Sequence, residues 1–149
     1  MVRMAILFAF MLAASPASAG EPSDLVKRFY DRQLDLFDAE TASAHTGGSL
    51  QAFLDELAIF SRENPDYPCV DFDPLINAQD YDEEELARTL KLEEEAGDEA
   101  AVVTASFGIF GETRSVIWNL NKSDGSWKVT DIASGDGDWR FSDMICEVE

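Results

Sequence analysis

The sequence predicts an α+β fold in which N-terminal helices pack on a four-stranded antiparallel sheet. Two observations predict it: apolar residues recur at helical spacing in the first half of the chain, and they alternate between two faces in the second half. Short sequences rich in Gly, Asp and Ser separate the alternating runs. Because strands joined by short turns pair with antiparallel neighbours, these runs should form one meander.

Residues 1–19 have the features of a secretory signal peptide. Arg3 supplies the positive start, residues 4–14 are apolar, and Ala17-Ser18-Ala19 is a small-residue cleavage pattern. The apolar stretch is too short to span a bilayer, which needs roughly 20 residues in a helix. We expect cleavage after Ala19, which leaves residues 20–149 as a single exported domain, periplasmic or secreted, without stable membrane insertion.

The first helix is predicted from Pro22 to about Asp38, because apolar residues form one broad face over this range. Projected at 100° per residue, Gln33 falls inside that face. A polar group there needs a partner or a wet cavity. The sequence leaves two interpretations open: Gln33 bonds to a neighbouring backbone group, or it lines a pocket.

A small-residue linker is predicted from Ala39 to Gly48, where two glycines stop any helix. Ser49 is then predicted to cap a second helix from Leu50 to about Arg62. Two prolines close together end that helix, and irregular chain follows.

The strands are predicted at residues 88–94 and in three runs between Glu99 and Ala133. One side of each later run is apolar and should face the core. These inward positions are Val103, Ala105, Phe107 and Ile109, then Val116, Trp118 and Leu120, then Trp127 and Val129.

Asp131 is the residue of the last strand that fits its pattern least well. In a regular strand it shares a face with Trp127 and Val129, where a carboxylate must be paired, line water, or act as a base. A β-bulge near Thr130 would instead turn Asp131 outward and bring Ile132 into the core. Both interpretations remain open at this point.

The two cysteines, Cys69 and Cys146, are predicted to form a disulfide, because an exported chain meets an oxidising compartment. His45 is the single histidine, so the chain has few soft metal ligands. For the same reason we expect no catalytic triad of the Ser-His or Cys-His type. The acidic residues between positions 71 and 82 do not match a calcium loop, because Pro74 interrupts them and the sharp-turn Gly is missing. We therefore predict no metal site, no catalytic residues of these classes and no cofactor.

The charge of the chain is strongly negative. Its formal net charge is −19, and removal of Arg3 with the signal peptide would leave ten basic against thirty acidic residues. Such a field repels nucleic acid and anionic membrane surfaces, and it favours basic partners, metal ions or plain solubility.

The element order, ending in the strand Trp127–Ile132, resembles the cone-shaped fold of nuclear transport factor two (NTF2) and its relatives over residues 22–133. The hairpin that joins Val116–Leu120 to that strand carries the resemblance. Residues Phe72–Tyr81 also resemble a motif in a family of exported bacterial proteins of unknown function, several of them lipoproteins, although this chain lacks their lipid-attachment Cys. The NTF2-like resemblance implies a strongly curved sheet that encloses a cavity with the long first helix. In enzymes of this fold an Asp or His base usually lies in the cone, and here Asp131 is the candidate.

The leading functional prediction is an exported, non-catalytic binding or accessory protein, whose partner is a small ligand or a basic protein. Pocket candidates are Tyr30, Gln33, Trp118 and Asp131. One alternative is a small acid–base enzyme that uses Asp131 in the cone pocket. The other is an inhibitor or toxin-immunity protein, which export, size and acidity suggest. A deep cavity with a desolvated acid would favour the enzyme, and a filled cone with a flat, acidic exposed face would favour either the binding or accessory protein or the inhibitor.

Overall fold

The computed structural model describes residues 21–148. The predicted signal peptide, residues 1–19, lies outside this range. Four α-helices precede four strands and a short 3₁₀ helix in the described part of the chain. The elements are α1 Glu21–Tyr30, α2 Ala39–His45, α3 Gly48–Glu63, α4 Glu83–Thr89, β1 Lys91–Ala96, β2 Ala100–Ile109, β3 Glu112–Ser123, β4 Ser126–Ser134 and the 3₁₀ helix Phe141–Asp143.

The predicted α+β class is confirmed. The strands form one antiparallel sheet in the order β1-β2-β3-β4, so each strand pairs with its neighbour in sequence. The predicted inward positions of β2 and β3 are buried, as side-chain alternation requires. Val103 lies opposite Trp118, and Trp118 lies opposite Ile132. These three fully buried side chains mark the centre of the core-facing side of the sheet.

Helices α1 and α3 cover that side of the sheet. Val26 and Phe29 of α1 are fully buried, and the Phe29 ring centroid lies 5.3 Å from that of Trp118. Near strand β4, Phe53 of α3 stacks on Phe141 of the C-terminal segment at 5.0 Å. Helices on one face of an antiparallel sheet give this two-layer arrangement a single hydrophobic core.

Helix α1 ends eight residues earlier than predicted. Arg32 has a positive φ of 58°, and the Gln33 N–H donates to the Arg28 carbonyl at 3.0 Å. The Arg32 N–H donates to the Phe29 carbonyl at 3.1 Å. These two bonds form a Schellman C-cap, in which a left-handed residue stops the helix. Since that position is usually glycine and here is arginine, the sequence did not indicate the stop.

Two helices form where the sequence predicted other structure. Residues 39–45 form α2 instead of a linker, and the Asp38 carboxylate caps it by accepting from the Thr41 N–H at 2.8 Å. Asp82 caps α4 in the same way through the Glu85 N–H. Helix α4 runs to Thr89, so β1 begins at Lys91 and not at residue 88.

The predicted disulfide between Cys69 and Cys146 is present, with Cα atoms 5.1 Å apart. It joins the connection after α3 to the C-terminal segment, across a sequence separation of 77 residues. The same segment is also paired with the sheet, because Arg140 forms an isolated antiparallel bridge with Ala133. Between residues 21 and 148, no helix is both long and apolar enough to cross a membrane.

Candidate functional site

The space between α1 and the sheet is filled by aromatic rings. Trp118 is completely buried, and its ring centroid lies 5.8 Å from that of Tyr30 and 5.3 Å from that of Phe29. The Trp118 Nε1–H donates to the Tyr30 hydroxyl at 3.3 Å, and that hydroxyl donates to the Leu75 carbonyl at 2.7 Å. Both buried polar atoms thus have partners within the protein, as a closed core requires.

The chemistry of Tyr30 follows from this enclosure. Burial raises the pKa of the Tyr30 phenol far above its ordinary value, the hydrogen bond from Trp118 acts in the opposite direction, and the charge of Asp73 adds to the increase. The enclosure thus favours the neutral form of the phenol. Tyr30 is a structural hydrogen-bond donor that links α1 to the residue 75 connection.

Gln33 lies outside this core. Because α1 ends at Tyr30, the helical projection that placed Gln33 on an apolar face does not apply. Its side chain is exposed. The prediction that Gln33 faces the interior is wrong.

Asp131 follows the bulge alternative. The register of β3 and β4 shifts between Asn119 and Leu120, so that Asn119 pairs with Asp131 and Leu120 with Val129. Thr130 is the additional residue, so of the two interpretations left open by the sequence the structure has the β-bulge. Ile132 consequently enters the core opposite Trp118, and Asp131 lies on the other face of the sheet.

Asp131 is nevertheless only 7% exposed, because the C-terminal segment covers it. Its Oδ2 accepts from Arg140 Nη1 at 2.8 Å and from Ser142 Oγ at 2.7 Å. Its Oδ1 accepts from the backbone N–H groups of Ser142 and Ile132. A carboxylate with four such bonds is engaged as an anchor.

The four pocket candidates therefore do not form one site. Tyr30 and Trp118 meet in the core, Gln33 is exposed beyond the end of α1, and Asp131 holds the C-terminal segment on the opposite face. A ligand-binding role for any of them stays a prediction.

Two adjoining grooves lie on the outer surface. The first, here called the acidic groove, has a volume of about 820 Å³ and lies between residues 32–37 and 70–79. Asp35, Asp71 and Asp73 contribute carboxylates to it, and Phe37 and Phe72 contribute apolar walls. The cation among its lining residues, Arg32, lies 3.5 Å from Asp73. Such walls suit a basic side chain with an apolar stem.

The second groove, of about 480 Å³, shares Phe37 and Phe72 with the acidic groove and continues between α2 and α3. Leu54, Leu57 and Ala58 of α3 make its lining mainly apolar. Phe37 stands between the two grooves and is 50% exposed. In the described part of the chain, no group of three or more His, Cys, Asp or Glu residues is arranged to hold a metal ion.

A further surface feature is the turn between β2 and β3, whose phenylalanine was not among the candidate residues from the sequence. Ile109 pairs with Glu112, so the turn residues are Phe110 and Gly111. Their φ angles are 50° and 83°. Phe110 is 65% exposed at the tip. The available indication in sequence was Phe-Gly between two strands, where Asn-Gly or Asp-Gly is usual.

No known protein-family model matches the chain, and no curated protein matches its sequence. Among solved structures, the fold is similar to a chain in the crystal structure of the type VI native effector–immunity complex Tae3–Tai3 from Ralstonia pickettii. The two share 19% sequence identity with a TM-score of 0.56. The similarity covers 77% of this chain and 95% of the other. At this identity the likeness concerns the fold.

Proposed function

We propose that this chain is an exported inhibitor or immunity-type protein that binds a basic protein partner. The observation that carries this proposal is the filled interior. Phe29, Tyr30 and Trp118 occupy the space between α1 and the sheet where a small ligand would have to sit. Binding therefore takes place on the outer surface, where a protein can contact an area large enough for specific association.

The charge of the chain supports a basic partner. Thirty acidic residues against eleven basic ones produce a negative field that accelerates encounter with a positively charged protein and repels nucleic acid. The acidic groove adds three local carboxylates and two exposed or half-buried aromatic residues to this surface. Association should accordingly weaken as salt concentration rises.

The structural neighbour supports the same class of function. It belongs to an effector–immunity complex, so a chain of similar fold takes part in a protein–protein assembly. Two of the functions that the sequence suggested, a binding or accessory protein and an immunity protein, agree with a binding site on the outer surface. Asp131 is held by Arg140 and Ser142, which supports a structural role over the acid–base alternative.

The proposal also includes export of the chain and its relationship to the NTF2-like fold. The Cys69–Cys146 disulfide supports an oxidising compartment, in agreement with a signal peptide cleaved after Ala19. Helices followed by a four-stranded meander support the NTF2-like relationship, although the aromatic core replaces the open cavity of that fold.

The decisive experiment uses genes that neighbour this one in its genome. Each product is sent to the periplasm of a test bacterium, alone and together with the full chain. We expect one product to stop growth alone and to be tolerated when this chain is present. The two proteins should then co-purify as a complex of defined stoichiometry that dissociates at high salt. Absence of both rescue and complex for every neighbour would contradict the proposal.

A further inference from the structure

We propose that the β2–β3 hairpin tip, led by Phe110, is the element that this protein inserts into its partner. The partner surface is a concave apolar pocket with a basic rim. The inference rests on the proposed function in requiring a protein partner, and it adds which part of the chain makes the central contact.

The first argument is the backbone conformation of Phe110. Positive φ angles at both residues of a two-residue turn are those of a type I′ hairpin, and Phe110 and Gly111 have them. Glycine adopts this conformation freely, and Asn or Asp adopts it readily. For a bulky aromatic residue it is strained, since the Cβ atom approaches the backbone.

The second hairpin of the same sheet provides an internal comparison. Asp124 and Gly125, between β3 and β4, have φ angles of 52° and 77°, so they form the same turn with a favoured pair of residues. The chain thus uses Asp-Gly at one tip and Phe-Gly at the other. The backbone does not explain the phenylalanine.

Burial does not explain it either. Phe110 is 65% exposed, the most exposed aromatic residue among the large apolar side chains of the described chain. In the free protein most of its ring stays in contact with water, so it contributes little hydrophobic stabilisation to the fold. Strained residues persist where the surrounding structure holds them in place, and they cluster at active sites, ligand clamps and switch regions.

The tip is also held rigidly before any partner arrives. The Gly111 N–H donates to Glu85 Oε1 at 2.9 Å, and the Gly108 N–H donates to Thr89 Oγ1 at 2.8 Å. Both acceptors belong to α4, which packs beside β2. A backbone that is already fixed loses little further conformational entropy on binding, and such preorganisation favours the use of Phe110 as an anchor residue.

The shape and charge of the tip define the pocket that it fits. A protruding phenylalanine needs an apolar concavity of about one ring in size. Glu112 beside it has a side chain that is 78% exposed, and Glu84 of α4 is exposed as well. Arg114 lies 3.8 Å from Glu112 and offsets part of this charge. The remaining negative charge matches a pocket with Lys or Arg at its rim.

Site-specific photocrosslinking tests the inference whatever the identity of the partner. The full chain carries benzoylphenylalanine in place of Phe110, Asp124 or Phe37, one position at a time, and is irradiated in the source organism. We expect one covalent adduct from position 110 and none from position 124, the matched hairpin tip. The crosslinked partner peptide should line a pocket that contains basic residues. Adducts from position 37 without one from position 110 would overturn the inference and leave the proposed function standing. Adducts from none of the three positions would contradict both.

Phe110→Asn gives a second and independent test, because asparagine suits the turn and keeps the hairpin intact. It should raise the Tm by roughly 5 °C through relief of strain. It should also weaken the complex with the crosslinked partner by about 100-fold. The control, Asp124→Asn, should change neither quantity appreciably. A complex of Phe110→Asn within about threefold of the wild-type affinity, or a lowered Tm, would overturn the inference.

Discussion

Arg140 Nη1 lies 2.8 Å from Asp131 Oδ2 and joins the C-terminal segment to the outer face of strand β4. Ser142 adds two more bonds to the same carboxylate, so three groups of one segment converge on it. The bulge at Thr130 makes this possible, since it turns Asp131 away from the core. The register shift therefore adds a polar anchor to the disulfide, the Ala133–Arg140 bridge and the Phe53–Phe141 stack that also hold this segment.

Asp131→Asn should lower the free energy of unfolding by about 1–3 kcal/mol, because an amide presents an N–H group where two or more donors need an acceptor. Urea unfolding measures the change, and amide exchange across residues 139–143 should become faster. Asp138→Asn, in the exposed loop before Arg140, is the control and should stay within about 0.5 kcal/mol of wild type. Equal values for the two variants would show that the anchor contributes nothing.

Trp118→Ala should lower the free energy of unfolding by about 3–5 kcal/mol, because it removes a completely buried ring between Phe29 and Tyr30. Trp127→Ala is the matched control. That ring is only half-buried and lies under Lys122 Nζ at 5.2 Å from its centroid, so its loss should cost about 1 kcal/mol. A loss below about 1 kcal/mol for Trp118→Ala would mean that this face of β3 is not the core.

Tyr30 should make stability fall at alkaline pH. Burial raises its pKa in the native state, with the Trp118 hydrogen bond opposing and the Asp73 charge adding to the effect. Below about pH 10 the phenol is protonated in both states; above it the unfolded chain ionises more readily than the native one. The free energy of unfolding should therefore decline as pH rises above about 10.

Tyr30→Phe checks this assignment, because it removes the titrating group but keeps the ring. Its unfolding free energy should depend less steeply on pH above about 10 than that of the wild type. At neutral pH the variant should be less stable by about 1–2 kcal/mol, because the Leu75 carbonyl loses its donor. Parallel alkaline slopes for the two proteins would refute the assignment.

Loss of the Cys69–Cys146 disulfide should lower the free energy of unfolding by about 4 kcal/mol, since the bond closes a long loop in the unfolded chain. The double variant Cys69→Ser, Cys146→Ser, unfolded in urea beside the wild type, measures this. Intact mass with and without reductant should show one bridge in the exported protein. Two alkylatable thiols in native protein would contradict the structure.

The sheet was the most predictable part of the fold. The alternation of apolar and polar residues in β2 and β3 was enough to predict which residues face the core. Each strand has only two faces, and in both strands one face was clearly apolar. The choice at β4 could not be made from sequence. The alternation along β4 was compatible with either Asp131 or Ile132 facing the core. Only the pairing with β3 decided between them.

The helices were less predictable at their ends. Arg32 stops α1 from a left-handed conformation that a sequence indicates only when the residue is Gly or Asn. Because the predicted helix continued past Arg32, Gln33 was wrongly placed on its apolar face as a pocket residue. Helix α2 was missed because its small residues resemble a linker, although Asp38 is a favourable N-cap. Phe110 was missed because its conformation depends on the exact pairing of β2 with β3.

The order of the strands has a consequence for how the chain folds. Every strand pairs with its immediate neighbour in sequence, so the whole sheet can form through short loop closures. Contacts of α1 with the sheet, and the covalent link that closes a loop of 77 residues, both join distant parts of the chain. We therefore expect hairpins to form early and the N-terminal helix to dock late. Oxidation of the two thiols should then lock a topology that is already in place, so refolding of the reduced protein should reach the same sheet before the bridge returns.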